Sequence, residues 1–378
     1  MKRKSFVVLG GCGAIGKVAV RDLLETAPRA LVTIADYNLS AAGSLARSFK
    51  SRRVKAVFAD AGKPATLARV LKGHDVVLNC TQHHFNLRVM EAALRAKVHY
   101  LDLGGLFYWT REQLKLHARF QRAGLTAILG AGCAPGITNV LTRLGADLLD
   151  RVDSVRIRVG TVDFAEKPEG FVFPYSAQTI VEEMTLTPWV FRGGRFVEIK
   201  PRSRWEKVTF PRPVGAQWTI CTRHSEVATI PLSFKLKACD FHVSFDRAFV
   251  KELVKRLEAG QTVKDFQKLP ASRGKPDDYE IARVVVAGVV EGGVRGRRPR
   301  LQKRVVTIDC HAKARPAWHA SAGDIDTGCP PSIVAQLIAE GAITECGVLA
   351  PEAAIPAERF VAELVRRGMT VNVRVGNS

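Results

Sequence analysis

The sequence predicts an α/β protein: a doubly wound parallel sheet, followed by a second α+β domain built on a mostly antiparallel sheet. Three observations carry this. Short apolar runs alternate with amphipathic stretches across residues 1–132, the pattern of parallel strands joined by helical crossovers. A glycine-rich turn, Gly10-Gly11-Cys12-Gly13-Ala14-Ile15-Gly16, joins the first apolar run to the first amphipathic one. From about residue 152 the texture becomes period-two, with Val155, Ile157 and Val159 interleaved with Arg156 and Arg158, as in half-buried strands.

The spacing Gly11-x-Gly13-x-x-Gly16 follows a strand-like run, opens a helix, and has Asp36 twenty residues beyond its last glycine. That context makes it the dinucleotide fingerprint of a Rossmann domain. Gly11 is expected to permit the tight turn, Gly13 the approach of a pyrophosphate and Gly16 close helix–strand packing. Cys12, Ala14 and Ile15 complete the loop and the first helical turn, whose amides face the anion.

Strands are expected near 5–9, 31–35, 54–59, 75–80, 98–101 and 125–129, and helices near 14–25, 40–49, 64–72, 85–96 and 110–123. Ligands of such sheets lie beyond the carboxyl ends of the strands. After the second strand come Asp36 and Tyr37. A carboxylate there accepts hydrogen bonds from ribose hydroxyls and repels a 2′-phosphate, which predicts NAD over NADP. Asp60 and Ala61 follow the third strand, at the adenine edge. Asn79, Thr81 and His83 follow the fourth, toward the nicotinamide or a substrate, and Asp102 and Gly104 follow the fifth. The loop Gly130–Asn139, with Pro135 in it, leads into an apolar helix reaching about residue 149.

Residues 133–318 are read as the domain for substrate binding and oligomerisation. Trp189 to Val197 forms a hairpin around Gly193-Gly194, and further alternating runs fall at 227–230, 238–245, 283–290 and 304–310. Helices intervene near 176–184 and 247–258, the second capped by Asp246. One face of the sheet packs on helices and the other is free to meet a partner, in a homodimer or homotetramer. Residues 319–378 turn helical again, from Thr327 to Gly341 with Pro330-Pro331 at the start and near 357–367, and are expected to pack back on the first domain.

At 378 residues, 47% hydrophobic and 25% charged, the chain is an ordinary globular protein long enough for two domains. It has no apolar run of the ~18–20 residues that cross a bilayer, so no membrane partner is expected. Its eight cysteines include no C-x-x-C pair, which argues against a metal centre or disulfide framework and for a reducing cytoplasm. The formal charge of +21 raises nucleic acid as a partner. The densest basic run, Arg295 to Arg304, has no interleaved aromatic residue and reads as a solvated hairpin tip. A positive field instead attracts an anionic cofactor and carboxylate substrates.

Beyond the fingerprint, the chain carries His99-Tyr100-Leu101-Asp102-Leu103-Gly104-Gly105, Ala134-Pro135-Gly136-Ile137-Thr138-Asn139, His224-Ser225-Glu226 with Thr229-Ile230-Pro231, and Gly347-Val348-Leu349-Ala350-Pro351-Glu352. With these motifs it resembles the saccharopine dehydrogenase superfamily, in the short branch of saccharopine reductase and lysine 6-dehydrogenase. Many saccharopine and carboxynorspermidine enzymes have Asp-Pro-Gly where this chain has Ala134-Pro135-Gly136, which looks more like the lysine 6-dehydrogenase branch. The resemblance implies NAD-dependent oxidation of the C–N bond of an amino acid or secondary amine. L-lysine is the leading substrate, with a saccharopine reductase or carboxynorspermidine-type reaction as the alternative. A reading from another class is an NAD-sensing regulator without catalysis.

Oxidising a C–N bond requires a base that takes a proton from an ammonium. His224 and Glu226 are the leading acid–base pair, with Asp102 a further group at the nicotinamide end. Arg223 suits a substrate carboxylate. Tyr175 and His83 are candidates for further substrate contacts.

Overall fold

The computed structural model describes residues 3–165, 170–269, 275–292 and 300–377. Six strands come first: β1 (Ser5–Leu9), β2 (Leu31–Asp36), β3 (Val54–Phe58), β4 (Val76–Asn79), β5 (His99–Asp102) and β6 (Thr126–Ile128). The middle of the chain holds β7 (Arg151–Asp163), β8 (Trp189–Arg192), β9 (Arg195–Glu198), β10 (Trp205–Thr209), β11 (Ala216–Cys221), β12 (Ala238–Ser244), β13 (Asp278–Gly292) and β14 (Arg300–Lys313). The tail adds β15 (Gly347–Leu349) and β16 (Thr370–Asn377).

Among the described residues two sheets result. The first is parallel, in the order β15-β6-β5-β4-β1-β2-β3. The reversal of order beside β1 opens the crevice over the glycine turn, where ligands of doubly wound sheets bind. The second is mixed, in the order β10-β11-β12-β7-β13-β14-β16, with β8 and β9 attached at β12. Only β12 with β7 is parallel within it; the other pairs are antiparallel. This is the α/β architecture expected from the sequence.

Alternation explains the second sheet. Val155, Ile157, Val284, Val286, Val306 and Ile308 all point to one face and are buried. The helices Ile137–Ala146 and Ala322–Ala339 cover that face. The second helix also lies along the fingerprint helix Ala14–Thr26. A Cβ on Gly328 would stand 2.6 Å from Val18 Cβ and 3.1 Å from the Ile15 carbonyl oxygen, so only glycine allows that approach. The two sheets are thereby locked together across one continuous apolar core.

Several expectations need correction. Residues 227–230 are not a strand; Glu226–Phe234 is a helix with Pro231 inside it. The run Val227-Ala228-Thr229-Ile230 is buried on every side, so it carries no period to separate helix from strand. The tail helix starts at Ala322, five residues before Thr327, and Pro330 and Pro331 lie in its interior. Its start was marked by a capping box: Ser321 Oγ accepts from the Asp324 amide at 3.0 Å and Asp324 Oδ2 from the Ser321 amide at 2.9 Å. The stretch 110–123 is two helices, Leu106–Leu114 and His117–Arg122. Strands β10, β11, β15 and β16 were not anticipated, and the tail thus supplies a strand to each sheet as well as helices. Asp246 does cap its helix, accepting from the amides of Ala248 and Phe249. The tip of the basic run, including Arg295, Arg297 and Arg298, lies outside the described residues. No described helix is long and apolar enough to cross a membrane.

Candidate functional site

The dinucleotide half of the site is the turn between β1 and its helix. Gly10, one residue before the fingerprint triplet, takes the left-handed backbone at φ +69°. Gly11, expected to serve the turn, serves packing instead: its Cβ would come 2.9 Å from Ile34 Cγ2. A Cβ on Gly16 would stand 2.2 Å from the Gly10 carbonyl oxygen. At Gly13 the nearest neighbour is the Gly10 oxygen at 3.3 Å and nothing else comes within 4 Å, so its outer side is open to a ligand. The helix that follows has no acidic residue in its first turn and no side-chain cap, leaving its amides to an anion. Asp36 is buried at the end of β2, accepting from the Cys12 amide at 3.0 Å and the Asn38 amide at 3.0 Å. Burial, and Asp36 beside it, push the Cys12 thiol up to about 11, so it stays protonated. Tyr37 is 77% exposed at the mouth. Asp60 accepts from the Gly62 amide at 2.8 Å, with Lys63 Nζ 3.6 Å from its carboxylate, and Ala61 lies between. These residues fit a dinucleotide: an open cradle at Gly13, free helical amides, and a carboxylate at the ribose position.

Three expected contacts turn out to hold the loops. Asn79 is buried; its amide donates to Asn86 Oδ1 at 2.9 Å and Tyr100 Oη at 3.3 Å. Thr81 spends its hydroxyl on Asn79 Oδ1 at 2.6 Å. Asp102 is 1% exposed and accepts four hydrogen bonds, from Tyr100 Oη (2.8 Å), Gln113 Nε2 (2.5 Å) and the amides of Gly104 (2.9 Å) and Gly130 (2.8 Å). Its oxygens have no capacity left for a substrate proton, which removes it from the acid–base set. It fixes the two loops that meet at Gly104 and Pro135, where a Cβ on Gly104 would lie 2.7 Å from Pro135 Cγ.

The same loop reaches the second sheet. Ser225 Oγ donates to the Leu106 carbonyl at 3.1 Å and accepts from the Gly105 amide at 3.3 Å and Thr110 Oγ1 at 3.0 Å. Ser225 stands between His224 and Glu226, so these bonds pin that pair against the end of the dinucleotide crevice. His224 Nδ1 lies 2.5 Å from Glu226 Oε2, and Glu226 Oε1 accepts from Thr138 Oγ1 at 2.7 Å. The imidazole stacks on Phe241 of β12, centroids 3.6 Å apart at 10°. A carboxylate on Nδ1 fixes the tautomer and leaves Nε2 with its lone pair outward. Burial pushes His224 down, but Glu226 and then Glu183 outweigh it and hold the group above its ordinary value.

The helix Ala177–Thr185 supplies residues that the sequence reading did not single out. Glu183 Oε1 lies 3.9 Å from His224 Nε2, and Glu183 Oε2 accepts from the Tyr175 hydroxyl. Burial drives Glu183 up to about 7, against the pull of His224 and the Tyr175 bond. Glu182 Oε2 lies 3.7 Å from His83 Nε2. Glu182 and Glu183 carried no local signal, because only the tertiary fold brings Glu182 to His83 and Glu183 to His224. Arg223 donates its Nε to the Thr187 carbonyl at 2.9 Å and lies 4.7 Å over the Tyr108 ring. Tyr175, Glu183, His224 and Glu226 therefore form one cluster. His83 with Glu182 is tied to it through the same helix, and Arg223 through its place beside His224. Near the tail helix, ligand atoms of Cys133, Glu280 and Asp326 lie within 4.8 Å of one another, a juxtaposition invisible to cysteine spacing.

Residues 6–128 match the model for the saccharopine dehydrogenase NADP-binding domain, and residues 132–369 that for the saccharopine dehydrogenase C-terminal domain. The chain belongs to the saccharopine dehydrogenase family. It is an NAD(P)-dependent dehydrogenase acting on amine donors. Among curated proteins it is similar to the carboxyaminopropylagmatine dehydrogenase of Synechocystis sp., 23% identical with 96% of each chain covered. It is also similar to the carboxynorspermidine synthase of Vibrio cholerae, 25% identical over 65% of this chain and 64% of that one. Among solved structures, the apo saccharopine dehydrogenase (L-Glu forming) of Saccharomyces cerevisiae shares the fold, with a TM-score of 0.70, 16% identity, and 99% and 100% of the two chains covered.

Proposed function

We propose that this dehydrogenase works on the C–N bond of a secondary amine whose substituent carries a carboxylate, with His224 as acid–base group, Glu226 as its positioning partner and NAD as the preferred dinucleotide. The observation that carries the proposal is the His224–Glu226 pair: a buried imidazole, clamped on Nδ1 and open on Nε2, pinned by Ser225 to the end of the dinucleotide crevice. The names of the two curated relatives, both carboxyalkylated amines, support the substrate class over free lysine.

The bound nicotinamide supplies the hydride acceptor, or the donor in the reductive direction. The protein's own residues handle the rest. In oxidation His224 Nε2 takes a proton from the substrate ammonium, freeing a lone pair. In reduction the protonated imidazole returns it. Glu226 stabilises the imidazolium while Thr138 holds the second carboxylate oxygen. Arg223, with Nη atoms that make no hydrogen bond among the described residues, binds the carboxylate.

A second reading, L-lysine 6-dehydrogenase, is favoured by Ala134 before Pro135. One assay separates the two. NAD(P)H formation from a carboxyalkyl secondary amine, with at least tenfold lower kcat/KM on L-lysine, is the expected result. Turnover of lysine alone would sink the proposal.

A further inference from the structure

We infer that Glu183 is a second substrate-binding residue at the reaction centre: with His224 it forms a two-acceptor clasp for the two N–H bonds of a secondary ammonium. The inference rests on the amine-dehydrogenase reading of the same site and names what that site selects.

Two independent observations meet here. His224 Nε2 sits on a side chain 9% exposed, yet it has no hydrogen-bond partner among the described residues; Glu183 Oε1 faces it at 3.9 Å. That separation is too long for a hydrogen bond. Glu183 is itself buried, and its other oxygen is taken by the Tyr175 hydroxyl. The gap therefore has an acceptor on each side, and among the described residues no protein donor is hydrogen-bonded to either facing atom. Two acceptors about 2.8 Å from one tetrahedral nitrogen stand roughly 4.6 Å apart, so a small opening seats an ammonium nitrogen between them.

A secondary ammonium has two N–H bonds and meets both acceptors. One proton passes to His224 Nε2, giving the imidazolium and a neutral amine; the remaining N–H stays on Glu183. A primary ammonium brings a third N–H with no acceptor in the clasp, and burying it unpaired is costly. Tyr175 is the positioning residue, orienting the carboxylate without touching the nitrogen. The charges that face Glu183 are His224, Glu182 and Glu226, with Glu280 bearing on Tyr175. Burial keeps Glu183 near neutrality in its affinity for a proton, about 7, so the clasp is strongest above that pH.

The test compares wild type with E183Q, E183D and Y175F on N-propylalanine and L-lysine, reading kcat/KM against pH and the dinucleotide Kd. E183Q is expected to lose about 100-fold in kcat/KM on the secondary amine, with an unchanged dinucleotide Kd. E183D should recover part of the loss, and Y175F should move the Glu183 limb to higher pH by removing a bond to the carboxylate. Wild-type kcat/KM in E183Q overturns the clasp and leaves the wider reading standing. If wild type turns over neither amine, that reading fails, and binding decides the clasp: N-propylalanine should shift the His224 ring resonances in wild type and not in E183Q. No shift in wild type, or the same shift in both, overturns it.

Discussion

At the scale of the residue, short-range context was enough to single out Asp36 and the His224–Glu226 pair, whose side chains the fold brings together. Asp36 ends a strand at a fixed distance from a glycine turn, and His224 and Glu226 share one polar segment. Asp102, a further candidate in sequence, is saturated by four donors in the structure, and nothing local reveals them. Glu183 was invisible for the converse reason, being an ordinary helix residue until the fold aims it at His224. Asp36→Ala is expected to weaken NAD by about tenfold, roughly 1.4 kcal/mol, and to shift the NAD to NADP affinity ratio toward NADP. Titration of dinucleotide fluorescence measures both, and an unchanged NAD to NADP ratio would show that Asp36 does not set the preference.

The glycine turn shows how element-scale packing divides roles that a motif treats alike. Gly16 leaves no room, with a Cβ 2.2 Å from a backbone oxygen, whereas Gly13 leaves room on the side a ligand takes. Gly16→Ala should therefore destabilise the fold by about 1–3 kcal/mol, the cost of overpacking, while Gly13→Ala keeps the melting temperature and loses dinucleotide affinity. Equal melting temperatures in the two variants would contradict this division. The first sheet was readable from its strand–helix alternation. The helix Glu226–Phe234 was not, because a segment buried all round has no face to announce it. Strand β16 hid for the opposite reason: it is a largely exposed edge strand whose partner lies far away in sequence.

For the whole molecule, burial of acidic side chains has a consequence for stability. Glu183 and Glu280 are each pushed up to about 7 by burial and Asp278 to about 6, while burial takes His242 down to about 4. A raised carboxyl binds more proton in the folded chain than in the unfolded one, so its contribution falls as pH rises from about 4.5 to 7. His242 acts in the opposite sense between pH 4 and 6.5, as do His74, His83, His99 and His311, which burial also lowers, but Asp22, Asp102, Asp326 and Glu352 are raised by burial too, so raised carboxyls outnumber lowered histidines. The melting temperature is expected to decline as pH rises toward 7, and the substitutions E183Q and E280Q should flatten that decline. A decline of the same slope in both variants would show that these groups are not its source.

In the proposed mechanism His224, held by Glu226, moves the substrate proton. The most direct test is the pH dependence of kcat/KM for amine oxidation in wild type and Glu226→Gln. Glu226 raises the proton affinity of His224, and oxidation needs the imidazole neutral, so the rate should rise with pH through a limb above the ordinary histidine value of about 6.5. Removing the carboxylate charge should move that limb to lower pH and reduce turnover by about 100-fold, with dinucleotide affinity unchanged. A limb that stays in place at wild-type turnover would contradict the account.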